Sequence, residues 1–120
     1  MGIFAVNAIV RNVRDETRAT PPIDVVADKG SEFSWLPAAT LEAAGIERRR
    51  DRLFETATGA VVSRGTGFAI LEVAEFVTVD EVVFAEPADA HLLGARTLEG
   101  FGVVVDPIAH RLVARATLVA

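Results

Sequence analysis

The sequence contains no cysteine in its 120 residues, so the chain can form neither a disulfide nor a zinc–thiolate site. That composition suits a reducing compartment, and the cytoplasm is the expected location. Positive charge is also scarce: 12 Lys and Arg against 17 Asp and Glu leave a formal net charge of -5. With acidic residues spread along the chain there is no basic footprint to hold phosphates or meet an anionic membrane surface. Neither nucleic acid nor a membrane is therefore an expected partner. The opening Met1-Gly2-Ile3-Phe4-Ala5-Val6 has no basic stretch before it, and its apolar run is broken by Asn7, Arg11 and Asn12. Neither a secretory leader nor a membrane span is expected from such a run, and the chain reads as soluble and unprocessed. Low-complexity segments and tandem repeats are absent.

Several chemistries lack their residues too. Ser31 and Ser34 have no Gly-x-Ser-x-Gly setting, which argues against a serine nucleophile. His91 and His110 are too far apart to form a spaced ligand pair, so no metal site is expected. Gly65-Thr66-Gly67 lacks the further glycine and the strand-to-helix context of a dinucleotide loop, and reads instead as a β-bend or bulge. No cofactor is expected.

What is present is the material of one folded unit. Hydrophobic residues make up 51% and charged residues 24%, and the length suits a single domain over residues 1–120. Residues 3–13 are rich in β-branched and aromatic side chains and read as a strand ending in the charged turn 14–18. Pro21-Pro22 blocks helix and opens a second strand, Ile23 to Ala27, which runs into the turn Asp28-Lys29-Gly30-Ser31. Proline at 37 and glycine at 45 bracket a short helix. Arg48-Arg49-Arg50 reads as a solvated loop before a long β-like region from Leu53 to Phe84, turning at Thr58-Gly59. After Leu92-Leu93-Gly94 come a second short helix at Ala95 to Glu99, a strand at Val103 to Val105, the turn Asp106-Pro107 and a last strand from Arg111 to Val119. Phe33 and Trp35, just after the Asp28 turn, read as core or dimer-contact residues. The expected class is all-β with one or two short helices.

Three features then fall in a particular order. A strand ends in Asp28-x-Gly30-Ser31; Leu36-Pro37 leads into a short helix ending Ala44-Gly45-Ile46; and Leu92-Leu93-Gly94 is followed by a helix and by Val103-Val104-Val105-Asp106-Pro107. In this order the chain resembles, over nearly its whole length, the single-domain retropepsin-like aspartic proteases, whose first element is usually Asp-Thr-Gly-Ala or Asp-Thr-Gly-Ser. The resemblance implies a closed, barrel-like half of an acid-protease fold. It implies that Asp28 is the catalytic carboxylate and that Gly30 lets the loop approach its symmetry mate. Lys29, Gly30 and Ser31 would support the catalytic loop together with Leu92, Leu93 and Gly94, which would pack behind it in a ψ-shaped arrangement. Phe54 to Arg64, with Thr58 and Gly59 at the turn, would form a flap over an extended peptide.

The resemblance also implies a homodimer and a peptide or protein substrate. Two carboxylates within hydrogen-bonding distance share one proton; the ionised one draws a proton from water while the other protonates the scissile carbonyl oxygen. One Asp-x-Gly-Ser element per chain means that a second copy must bring the second aspartate. Lys29 departs from the family, which places threonine there to brace the two loops. A lysine cannot accept a hydrogen bond, and two ammonium groups near the axis would repel unless the loop turns them out to solvent. An inactive peptide-binding relative with the same fold is thus the alternative to an endopeptidase, with a structural β-domain unrelated to proteases as a third reading.

Overall fold

The computed structural model describes residues 4–119; Ile3, where the first strand is expected to begin, lies outside them. Strand β1 covers Phe4–Asn12 and β2 covers Ile23–Ala27. Both alternate, with Ala8 and Val10 of β1 and Ile23 and Val25 of β2 turned into the core. They pair antiparallel with Val6 opposite Val25. The short β3, Trp35–Pro37, leads into α1, Ala38–Ala43. Proline at the N-cap and Gly45 at a φ of 73° bound that helix as expected. The Asn12 amide donates to the Ala44 and Gly45 carbonyls at 3.2 and 2.9 Å, tying the end of β1 to the end of α1.

A long hairpin follows: β4, Arg50–Glu55, then β5, Val61–Val73, which turns back into β6, Phe76–Ala85. The two-residue β7, Leu92–Leu93, feeds α2, Ala95–Phe101, and the chain closes with β8, Val103–Asp106, and β9, Arg111–Ala114. One sheet runs β1-β2-β7-β3-β6-β5-β4, and β1 also pairs with β5, so six strands close into a ring and β4 hangs from β5 as an edge. Closure explains the core: Val10, Val25, Leu36, Leu71, Phe84 and Leu93 are almost wholly buried inside the ring. Among the described residues no helix is long and apolar enough to cross a membrane.

Four local expectations change. Gly65-Thr66-Gly67 is neither a turn nor a bulge; β5 runs through it with an unbroken register to β4 and β6. A Cβ at Gly67 would stand 2.2 Å from the Glu47 carbonyl oxygen, so glycine is needed for a close approach of backbone. The 48–50 cluster is not simply a solvated loop: Arg48 pairs with Glu42 at 3.0 Å and lies over the Phe84 ring, and Arg50 opens β4. Helix α2 runs two residues beyond Glu99, to a left-handed Gly102. The last strand stops at Ala114, where pairing with Val103 runs out.

Candidate active site

Asp28 stands at the end of β2, where the chain leaves the sheet. Its amide N–H donates to the Leu93 carbonyl at 2.9 Å, and its own carbonyl accepts from the Ser31 amide at 3.1 Å. The carboxylate folds back so that Oδ1 accepts from the Gly30 amide at 2.9 Å. A Cβ on Gly30 would lie 3.0 Å from that oxygen, so glycine leaves the carboxylate room to turn. Oδ2 has no hydrogen-bond partner among the described residues, and Asp28 is half-buried. Ser31 is turned inward, its hydroxyl donating to the Phe33 carbonyl at 2.8 Å. Lys29 is exposed and forms no ion pair among the described residues.

Behind this loop the chain crosses itself. β2 pairs parallel with β7, with Ala27 opposite Leu93; β7 meets β3 at Leu92 opposite Trp35; and β3 pairs parallel with β6. Gly94 is pressed so closely on the loop that a Cβ would stand 2.4 Å from the Phe33 oxygen. The first amides of α2 then serve the loop: Ala95 donates to the Ser31 carbonyl at 2.7 Å and Arg96 to that of Glu32 at 3.1 Å. Helix-start donors without an intrahelical partner thus become the brace of the Asp28 turn.

The β4–β5 hairpin closes over the same loop. Residues 56–60 turn on the Thr56 amide's bond to the Ala60 carbonyl at 2.8 Å, with Gly59 at a φ of 87°. Arg50, Arg52 and Phe54 share one face of β4. Phe54 meets the rings of Phe33 and Trp35 edge-on, at 5.4 and 5.0 Å between centroids. Arg50 and Arg52 both reach Glu81 of β6, at 3.0 and 3.2 Å, and the Thr66 hydroxyl donates to the same carboxylate at 2.6 Å. Those partners hold the Glu81 carboxyl well below its usual range, at about 2, with the Arg50 hydrogen bond contributing most. On the opposite strand Arg64 grips Asp89 at 2.7 and 3.0 Å and holds that carboxyl low as well.

Between hairpin and loop lies a cleft of about 530 Å3, walled by Asp28, Ser31, Glu32, Phe33, Trp35 and Leu92 below and by Arg52, Leu53, Phe54, Glu55 and Ala57 above. Of the residues expected at the site, Asp28, Gly30, Ser31 and Leu92 line this cleft. Leu93 is fully buried behind it and Gly94 forms the close crossing. Thr58 and Gly59 sit at the exposed hairpin tip and do not line it. Phe33 is buried as a core residue would be, yet it and the half-buried Trp35 also form the cleft wall. Arg52 and Glu81 are not singled out by the sequence and Phe54 enters only as the start of the expected flap, although the two-residue spacing of Arg50, Arg52 and Phe54 is the pattern of side chains sharing one strand face. No protein-family model matches the chain, and a search of the curated proteins finds no match.

Proposed function

We propose that the chain is a retropepsin-like aspartic endopeptidase acting as a homodimer, with Asp28 of each copy forming the dyad and an extended peptide bound beneath the β4–β5 hairpin. The observation that carries this reading is the placing of Asp28: a carboxylate at a strand end, gripped through its backbone by β7, with one oxygen free of hydrogen bonds among the described residues, in a residue that lines a cleft of about 530 Å3. In the paired state one Asp28 holds a proton and the other is ionised. The ionised carboxylate takes a proton from water, whose oxygen bonds to the scissile carbonyl carbon, while the protonated one donates to the carbonyl oxygen. The C–N bond of the resulting tetrahedral species then breaks as the leaving nitrogen takes up a proton. Phe33, Trp35 and Phe54 supply apolar wall for a side chain, and the backbone of the hairpin edge can pair with the peptide as an added strand.

Cleavage of an unfolded protein or peptide library between acidic and neutral pH tests the reading. Activity abolished by Asp28→Asn and raised by Lys29→Thr is the expected result. Asn keeps an oxygen to accept from Gly30, so loss of activity in a folded variant reports on chemistry. Lys29 favours a second reading, a dimeric peptide-binding module without turnover, because a second ammonium group brought near the first would oppose closure of the dyad. Binding of peptide without hydrolysis in every variant selects that reading.

A further inference from the structure

We propose that Asp80, acting through Thr97 and Ser34, is a positioning residue that locks β7 onto the 28–34 loop and so sets where the Asp28 carboxylate stands. The catalytic consequence rests on the reading of Asp28 given above; the locking of the loop does not.

Asp80 lies on β6 with its side chain 8% exposed. One oxygen accepts the Glu81 amide at 2.8 Å and the other accepts the Thr97 hydroxyl of α2 at 2.9 Å. Because the Thr97 hydrogen is committed to Asp80, the 2.6 Å contact between Thr97 and Ser34 can run only one way, with Ser34 donating. Ser34 in turn accepts the Gly94 amide at 2.9 Å. The result is a directed chain from Gly94 N–H to Ser34 O–H to Thr97 O–H to the Asp80 carboxylate. Each bond polarises the next, and all point toward the negative end. Ser34 and Thr97 are fully buried, so solvent does not compete for these bonds.

The chain ends where it has leverage on the loop. Gly94 is flanked by Leu93, whose carbonyl holds the Asp28 amide, and by Ala95, whose amide holds the Ser31 carbonyl. Fixing the Gly94 peptide therefore fixes a grip on each side of the aspartate. Arg96 adds to the same assembly, 3.6 Å from Asp80 and over the Phe33 ring. A pair of apolar side chains could fill the space of Ser34 and Thr97, but the buried Gly94 amide would lose its acceptor and Asp80 one of its donors. What they would not supply is a directional hold on Gly94.

Thr97→Val, nearly isosteric, breaks the chain in the middle, and Thr97→Ser restores the hydroxyl. In the full chain, Thr97→Val is expected to speed amide hydrogen exchange at Asp28 and Gly94 by roughly tenfold, the size of one lost buried hydrogen bond, while central β1–β5 amides stay within about twofold. Thr97→Ser is expected to return both amides to wild-type rates. With peptide substrate, Thr97→Val should lower kcat roughly tenfold with KM within about twofold, and Thr97→Ser should recover it. Unchanged exchange at both amides, exchange raised everywhere alike, or kcat unaffected in an active enzyme overturns the proposal. If Thr97→Val does not fold, Ser34→Ala cuts the chain one link nearer Gly94 and is read in the same way. Selective exchange in a protein whose wild type cleaves nothing upholds the locking of the loop and removes the protease reading instead.

Discussion

Glu81 keeps a negative charge at a position 5% exposed because Arg50, Arg52 and the Thr66 hydroxyl all converge on it. Its carboxyl is depressed in the folded state, from 4.5 to about 2. A depressed acid contributes stability that is complete above the unfolded pKa and is lost as pH falls through the folded one. The window is therefore about pH 4.5 down to about 2. After allowance for the partly exposed arginines, the contribution is on the order of 2 kcal/mol. Glu81→Gln is expected to lower the thermal midpoint at neutral pH and to flatten its fall over that window; an equally steep acid fall in the variant would remove Glu81 as its source. The anchor of the hairpin therefore stays charged at the mildly acidic pH at which the proposed dyad would work. Gly94 makes the steric case. Gly94→Ala puts a methyl against the Phe33 carbonyl, where backbone on both sides is held, and should cost on the order of 2–3 kcal/mol. Denaturant melts of the variant check this, and an unchanged midpoint would mean that the crossing can open without penalty.

In the β4–β5 hairpin, Arg52 and Arg64 lie directly opposite each other. Like charges in that position repel, and each is neutralised from a different element, Arg52 by Glu81 of β6 and Arg64 by Asp89 in the turn before β7. This rung is the fixed base of the hairpin. Beyond it, Phe54 supplies the aromatic contact with the floor of the cleft, through Phe33 and Trp35. Trp35 is the single tryptophan of the chain, so its emission reads that contact directly. Phe54→Ala should shift the emission to longer wavelength and weaken binding of a peptide, with stability lowered by about 1–2 kcal/mol, since Phe54 is only half-buried but loses two aromatic contacts. Emission identical to wild type would place Phe54 away from Trp35 in solution. At this scale the sequence is legible where the deciding residue is local. Pro21-Pro22 and the Asp-Lys-Gly turn bound β2 at Ile23 and Ala27, and proline and glycine bound α1. Gly67 misleads because what demands glycine there is the carbonyl of Glu47, twenty positions earlier in the chain, and no turn is involved.

The whole molecule depends on pairings that local pattern does not encode. Ring closure joins Val10 to Leu71, and the Ser34–Thr97 bond spans 63 positions; neither end of either contact differs from an ordinary strand or helix residue when read alone. Asp28 and Leu92-Leu93-Gly94 could be singled out because their types and order are unusual together, while Asp80 and Glu81 read as two more acids on an alternating strand. The same scale carries the proposal that is hardest to satisfy by accident. One chain holds one Asp-x-Gly-Ser element, so the proposed chemistry belongs to a pair of chains and to neither alone. At low concentration the rate should therefore rise with the square of protein concentration and become linear once dimers fill. Mixing adds a sharper requirement. Asp28→Asn alters no packing contact, so it should exchange freely into dimers, and every mixed dimer would carry one carboxylate and one amide. An excess of Asp28→Asn over wild type should then quench activity in proportion to the random loss of wild-type pairs, while an excess of a variant unable to associate should not. Activity that persists under a large excess of Asp28→Asn, after subunit exchange has been verified by mixed-label sedimentation, would mean that a single Asp28 suffices and that the shared dyad is wrong.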